Sequence, residues 1–130
     1  MKMKNAIIIV VISIIAVLTI GVFAITRNLS YMMDVYLHGI NTTALSDGTY
    51  TGSFERGRFS NTLTVQIENH TIVGVSIKKD VSMARDDISD DVFNKVIKTQ
   101  STDIDAISGA TVTTNAYLMA IEDALNDKEK

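Results

Sequence analysis

Between residues 105 and 114 the chain reads Asp-Ala-Ile-Ser-Gly-Ala-Thr-Val-Thr-Thr, and four hydroxyls fall close together at Ser108, Thr111, Thr113 and Thr114. Ser108 and Gly109 favour a tight turn, and Gly109 and Ala110 leave little bulk beside Thr111. Ser/Thr ahead of an apolar periodic run marks a helix start, here near Thr113 or Thr114. The first amides of such a helix lack intrahelical partners, and its dipole favours negative charge at the same place. Small residues, hydroxyls and open amides together make a phosphate-binding arrangement. The same letters also describe an ordinary capped helix after a Ser/Gly turn, and residue types alone leave both readings standing.

The surrounding sequence must position this segment. The helix that starts near Thr113 or Thr114 is expected to run to about Asn126, with Leu118, Ile121 and Leu125 on its buried face. An earlier helix of about three turns carries Ile88, Val92, Phe93, Val96 and Ile97 at helical intervals, with Asp87 or Ser89 as its cap. Before it, Asp47-Gly48 is a turn signal and Thr49 to Phe54 reads as a strand. Phe59 to Glu68 alternates, placing Leu63, Val65 and Ile67 on one face and Thr62, Thr64, Gln66 and Glu68 on the other. Asn69-His70 is a hairpin loop, after which Val73, Val75 and Ile77 share one side of a third strand. The expectation is an α+β domain: a small antiparallel sheet with helices packed against it, and residues 80–87 and 101–111 as loops.

Other candidates for chemistry are weaker. Arg56 and Arg58 lie in a polar turn and are better read as solvated than as phosphate ligands. Asp86, Asp87, Asp90 and Asp91 do not have the spacing of an EF-hand loop and suit a helix N-terminus instead. Two histidines, His38 and His70, are too few and too far apart for a metal signature, and with no cysteine there is no disulfide, thiolate metal site or iron–sulfur cluster; no metal is expected. Residue types and spacing nominate no catalytic group. Val81, Met83 and Ala84 read equally as lining for a bound group and as ordinary loop packing.

The N-terminus has a different character. Ala6 to Ile25 is uncharged and mostly Ile and Val, with Ser13 and Thr19 its polar members. As a helix it rises about 30 Å, enough to cross a bilayer core. It is longer than the usual signal-peptide core, although Val22 and Ala24 would suit a cleavage site. Lys2 and Lys4 precede it and Arg27 alone follows closely, which favours a cytoplasmic N-terminus and an extracytoplasmic remainder. The expected organisation is an anchor over 1–27, a juxtamembrane linker or amphipathic segment over 28–46, a folded domain over 47–126 and a frayed tail over 127–130. Residues 28–130 hold nine Lys/Arg against fifteen Asp/Glu, a formal charge of −6, which argues against nucleic acid as a partner.

Asp105, Ser108, Gly109, Ala110 and Thr111 match, position by position, the Asp-x-x-Ser-Gly-Ala-Thr flavinylation motif. On this motif the chain resembles the FMN-binding domain family, which includes peripheral subunits of the Rnf complex and of the sodium-translocating NADH:quinone reductase. Asp47–Gly52 looks like the family's opening strand, Thr64–Lys78 like its hairpin, and Gln100-Ser101, Asn115 and Ala124-Leu125 like its closing part. Where larger members often carry Glu-Thr-Pro-Gly, this chain reads Lys79-Asp80-Val81-Ser82-Met83. The resemblance implies FMN joined through its phosphate to Thr111, with Ser108, Gly109, Ala110, Asp105, Thr113 and Thr114 completing the cofactor-binding set. It also implies a flavin transferase as the partner that makes the link, and Asp105 as either part of what that enzyme reads or a turn residue. The role implied is an extracytoplasmic electron carrier between unidentified partners at the membrane, rather than a standalone enzyme. Alternatives are a module feeding a separate flavin-dependent reductase, a noncovalent flavin binder, and a cofactor-free tethered adhesion or assembly domain.

Overall fold

A computed structural model describes residues 2–27, 33 and 37–126. The chain divides into two units, residues 1–31 and 32–130. The first holds α1 (Lys2–Thr26), whose mean hydropathy of 3.1 and 25-residue length suffice to cross a membrane. Its few hydroxyls are satisfied within the helix. Ser13 Oγ donates to the Ile9 carbonyl at 2.8 Å, Thr19 Oγ1 to Ala16 at 2.9 Å and Thr26 Oγ1 to Val22 at 2.9 Å. That is what a polar side chain needs where no water reaches it. Of the expected juxtamembrane linker or amphipathic segment over 28–46, residues 28–32 and 34–36 lie outside the described residues, as does the tail 127–130.

The second unit contains β1 (Gly48–Phe54), β2 (Asn61–Glu68), β3 (Thr71–Lys79), α2 (Asp86–Thr99) and α3 (Thr111–Asn126). The strands form one antiparallel sheet in the order β1-β2-β3. A single 3-10 turn, Gly57–Phe59, links β1 to β2. Asn69 and His70 join β2 to β3 with φ of 49° and 60°, the left-handed pair that a two-residue hairpin requires. The alternation in β2 is as expected: Leu63, Val65 and Ile67 are fully buried. β3 departs from its expected pattern. Ile67 pairs with Ile72 and Gln66 with Gly74, so Val73 is an extra residue in the ladder. This bulge turns Ile72 into the core and leaves Val73 44% exposed.

Both helices lie on the inner face of the sheet, α3 over β1 and β2 and α2 beside β3. α3 is buried on more than one side. Beyond the expected Leu118, Ile121 and Leu125, its residues Thr114, Ala116, Tyr117, Ala120, Glu122 and Ala124 are also buried. One flank meets β1 at very short range: a Cβ on Gly52 would lie 2.1 Å from the Ala120 carbonyl oxygen and 2.4 Å from the Ala124 amide. Only glycine opposite a row of alanines permits that approach.

The opposite flank is covered by the segment before β1. Leu45 is buried in the core and Leu37 and Ile40 pack against it. The Glu122 carboxylate, in a residue 5% exposed, fixes this cover. Its oxygens accept the Gly39 N–H at 2.8 Å, the His38 N–H at 3.0 Å and the Thr102 hydroxyl at 2.7 Å. Asn126 Nδ2 adds a bond to the Gly39 carbonyl at 2.9 Å. At the far end of α2, Gln100 adopts φ 54° as a left-handed cap. Its side chain accepts the Ile72 N–H at 2.7 Å and donates to the Ile72 carbonyl at 2.9 Å.

Candidate functional site

The hydroxyl-rich segment sits where the loop after α2 turns into α3. Ile107, Ser108, Gly109 and Ala110 form a tight turn, closed by the Ala110 N–H on the Ile107 carbonyl at 2.9 Å. Gly109 has φ 76°, and a Cβ there would meet nothing within 4 Å. Its role is therefore backbone conformation at the third turn position rather than relief of crowding.

α3 begins at Thr111 itself, not at Thr113 or Thr114. The Ser108-Gly109 turn already orients the chain, so the helix needs no Ser/Thr cap and starts straight after Ala110. Its first intrahelical bond runs from the Thr114 N–H to the Ala110 carbonyl at 2.9 Å. The amides of Thr111, Val112 and Thr113 therefore precede the helical ladder. Alanine offers no side-chain acceptor to cap them, and no other side chain among the described residues does so.

The four hydroxyls have different fates. Thr114 is fully buried; its Oγ1 donates to the Ala110 carbonyl at 2.8 Å and accepts the Ile107 N–H at 3.3 Å. It ties the turn to the helix instead of capping the first amides. Thr111 and Thr113 are half-buried and Ser108 is exposed, and among the described residues none of these three hydroxyls makes a hydrogen bond. Asp105 is exposed as well, and its carboxylate is equally without a hydrogen bond there.

Three other segments meet at this end of the sheet. Asn61, the first residue of β2, donates from Nδ2 to the Ala116 carbonyl of α3 at 3.1 Å and to the Phe59 carbonyl at 3.2 Å. Its Oδ1 is buried without a partner among the described residues. Tyr117, fully buried, donates its phenol to Asp80 Oδ1 at 2.6 Å and meets the Phe93 ring edge-on at 5.4 Å. Burial, reinforced by the Asp80 carboxylate, pushes the Tyr117 phenol well above its ordinary pKa. The same Asp80 oxygen accepts the Val81 N–H at 2.7 Å, and the Ser82 N–H donates to the Arg58 carbonyl at 2.8 Å. Residues 80–82 are therefore braced on both α3 and the 3-10 turn. Val81 is buried, and Met83 projects outward with φ 60°.

Arg58 lies 4.9 Å from the Phe59 ring centre, at the same turn as Arg56. The acidic cluster at the start of α2 is partly neutralised: Asp87 chelates the Arg85 guanidinium and Asp91 pairs with Lys95 at 3.5 Å. Arg85, not Asp87 or Ser89, occupies the cap position, and Ser89 Oγ donates back to the Asp86 carbonyl at 3.1 Å. His70 Nδ1 lies 3.0 Å from the Leu45 carbonyl. Sequence reasoning missed Asn61, Asp80, Gln100, Tyr117 and Glu122 as organisers. Their partners are remote in sequence, and only a polar residue among apolar helical neighbours, as at Glu122, hinted at them.

No curated protein matches the chain. A family model, the FMN-binding domain, matches residues 59–126. That match takes in more than half of the chain: the β2–β3 hairpin, the loop after it with its braced residues 80–82, α2, α3 and the Asp105–Thr111 segment. With the α+β architecture in place and an anion-ready helix start inside the matched region, the chain belongs to the FMN-binding domain family.

Proposed function

We propose that this FMN-binding domain is a membrane-anchored, extracytoplasmic electron carrier whose FMN is esterified through its phosphate to Thr111. The observation that carries the proposal is the contrast between Thr111 and Thr114. Thr111 stands half-buried at the first position of α3 with its hydroxyl unengaged among the described residues, whereas Thr114 is buried and spent on the turn. Thr113 shares the open hydroxyl, but Thr111 follows the Gly109-Ala110 turn directly and occupies the acceptor position of the motif.

The residues present fit the group. The uncapped amides of Thr111, Val112 and Thr113 suit a phosphate, and the helix dipole stabilises its charge. Ser108 adds a hydroxyl beside them. The partnerless Asn61 Oδ1 is an acceptor of the kind that ribityl hydroxyls satisfy. In the linking step Thr111 Oγ forms a bond to the FMN-side phosphorus of FAD. The P–O–P bridge breaks, AMP leaves with the bonding electrons, and the hydroxyl proton passes to a base on the transferase. When bound, FMN supplies one- and two-electron redox chemistry; this chain supplies position and an electrostatic setting. Covalent attachment suits a compartment from which a released cofactor is not recovered.

The N-terminal helix supports the anchoring half of the proposal, and Lys2 and Lys4 before it support an inward N-terminus. Thr111, with Asp105, Ser108, Gly109, Ala110, Thr113 and Thr114, forms the cofactor site of this reading. Co-expression with a flavin transferase, followed by intact mass and in-gel fluorescence after denaturation, tests it. The expected result is one FMN-phosphoryl adduct per chain, mapping to the peptide that holds Thr111. Flavin released on denaturation would replace the covalent reading with noncovalent binding, and no flavin at all would remove the carrier role. A reporter fused after Lys130 is expected to be active only outside the cytoplasm; cytoplasmic activity would overturn the orientation.

A further inference from the structure

We infer that the groove between the last turns of α2 and the segment Asp103–Asp105 is the surface on which the flavin transferase docks. The inference rests on the covalent reading above and extends recognition beyond the motif to α2. The groove measures about 550 Å³ and is lined by Lys95, Lys98 and Thr99 on one side and Asp103, Ile104 and Asp105 on the other. It is continuous with the acceptor segment, because Asp105 is both a wall of the groove and the first residue of the motif.

The strand of chain that forms one wall is stapled at both ends. Thr102 is bound to Glu122 at 2.7 Å, and the Ile107 N–H is bound to Thr114 Oγ1 at 3.3 Å. Between the staples, Asp103, Asp105 and Ala106 face outward. No hydrogen bond to either carboxylate is made among the described residues. Fold stability does not account for these side chains, so they are available to a partner. The opposite wall is equally fixed: Thr99 Oγ1 donates to the Lys95 carbonyl at 2.8 Å. Lys98 makes no ion pair among the described residues. Lys95 shares its charge with Asp91 at 3.5 Å, so Lys98, with the Lys95–Asp91 pair beside it, faces Asp103 and Asp105 as a two-signed strip, in a chain whose residues 28–130 carry a formal charge of −6. Such a strip selects a protein surface of complementary alternating charge and fixes its register. A rigid strip also spares the ordering cost that a mobile acceptor loop would impose on each encounter.

The test is steady-state flavinylation of the full chain in detergent by purified transferase with FAD and Mg²⁺, comparing wild type with Lys95→Ala/Lys98→Ala and Lys98→Glu. The exposed Lys78→Glu on β3 is the charge control. The groove variants are expected to show kcat/KM about tenfold lower through a raised KM, with the same final flavin content after long incubation, and Lys78→Glu to match wild type. Groove variants that react with wild-type kcat/KM overturn the inference while leaving the Thr111 linkage standing. A wild-type chain that gains no flavin overturns the linkage and the groove together. A second measurement guards against a misfolded variant. The Thr111→Ala chain is expected to inhibit wild-type flavinylation competitively and to lose that inhibition when Lys95→Ala/Lys98→Ala is added. Undiminished inhibition by the combined variant overturns the inference.

Discussion

The two ends of α3 solve opposite problems with the same kind of atom. At its start, three amides and the Thr111 hydroxyl lack partners among the described residues, and Ala110, the residue just before the helix, has no side-chain acceptor to offer them. Three turns on, the Glu122 carboxylate is buried and accepts three donors from two other segments of the chain. Unsatisfied backbone groups cost free energy when water is excluded, so the open end is tolerable only because it is half-exposed, and it is useful for the same reason. The saturated end holds the helix in place so that the open end stays open in one geometry.

Substitutions at the two ends should therefore separate function from stability. The largest effect expected is at the open end: Thr111→Ala should abolish covalent flavin on a denaturing gel while changing stability by no more than about 0.5 kcal/mol in urea titration. Retained fluorescence, or a large loss of stability, would erase the distinction. Glu122→Leu should do the reverse. It leaves the His38 and Gly39 amides and the Thr102 hydroxyl without their acceptor, at a cost of about 3 kcal/mol, while the folded fraction still gains flavin at Thr111.

Thr114→Val lies between the two ends and should behave like the saturated one. It removes the acceptor of the Ile107 N–H at a cost of about 1–2 kcal/mol, read from the urea midpoint, and leaves flavin content intact. Tyr117→Phe sharpens the comparison through pH. The folded phenol is held above its unfolded pKa, so its contribution is fully present below about pH 10 and is lost as pH rises beyond that. Melting curves from pH 9 to 11 should therefore fall more steeply for wild type than for Tyr117→Phe; parallel curves would contradict the buried Tyr117–Asp80 bond. The smallest effect is expected for Thr113→Ala, at most about 0.5 kcal/mol with full flavinylation. A flavinylated peptide that maps to Thr113 would reassign the acceptor.

Much of this was legible in the residues because the relevant physics is local. Alternation in β2, the Asn69-His70 hairpin and the helical spacing of Ile88, Val92 and Val96 depend on near neighbours, and the structure has them where they were expected. The tight turn at Ile107–Ala110 and the helix directly after it were equally visible, since the small residues and hydroxyls that mark them are close in sequence. The misreadings have non-local or competing causes. Period two places Val73 on one side with Val75 and Ile77 and cannot foresee the bulge beside it. Ser/Thr usually cap, which points to a helix start near Thr113 or Thr114, but the Gly109 turn starts α3 at Thr111 and recruits Thr114 as a brace. The burial of Leu45 and the clamping of residues 38 and 39 depend on Glu122, more than eighty positions away, and no periodicity reports such a contact.

The Gln100 side chain has a consequence for how the domain behaves among its neighbours. β3 is an edge strand, and an edge strand presents N–H and C=O groups that invite pairing with another chain. By accepting from the Ile72 N–H and donating to its carbonyl, the Gln100 amide acts as a one-residue dummy strand at the point where β3 begins. An approaching chain finds the first rung already taken. The fold thus carries a built-in stopper against growing its sheet from one molecule into the next.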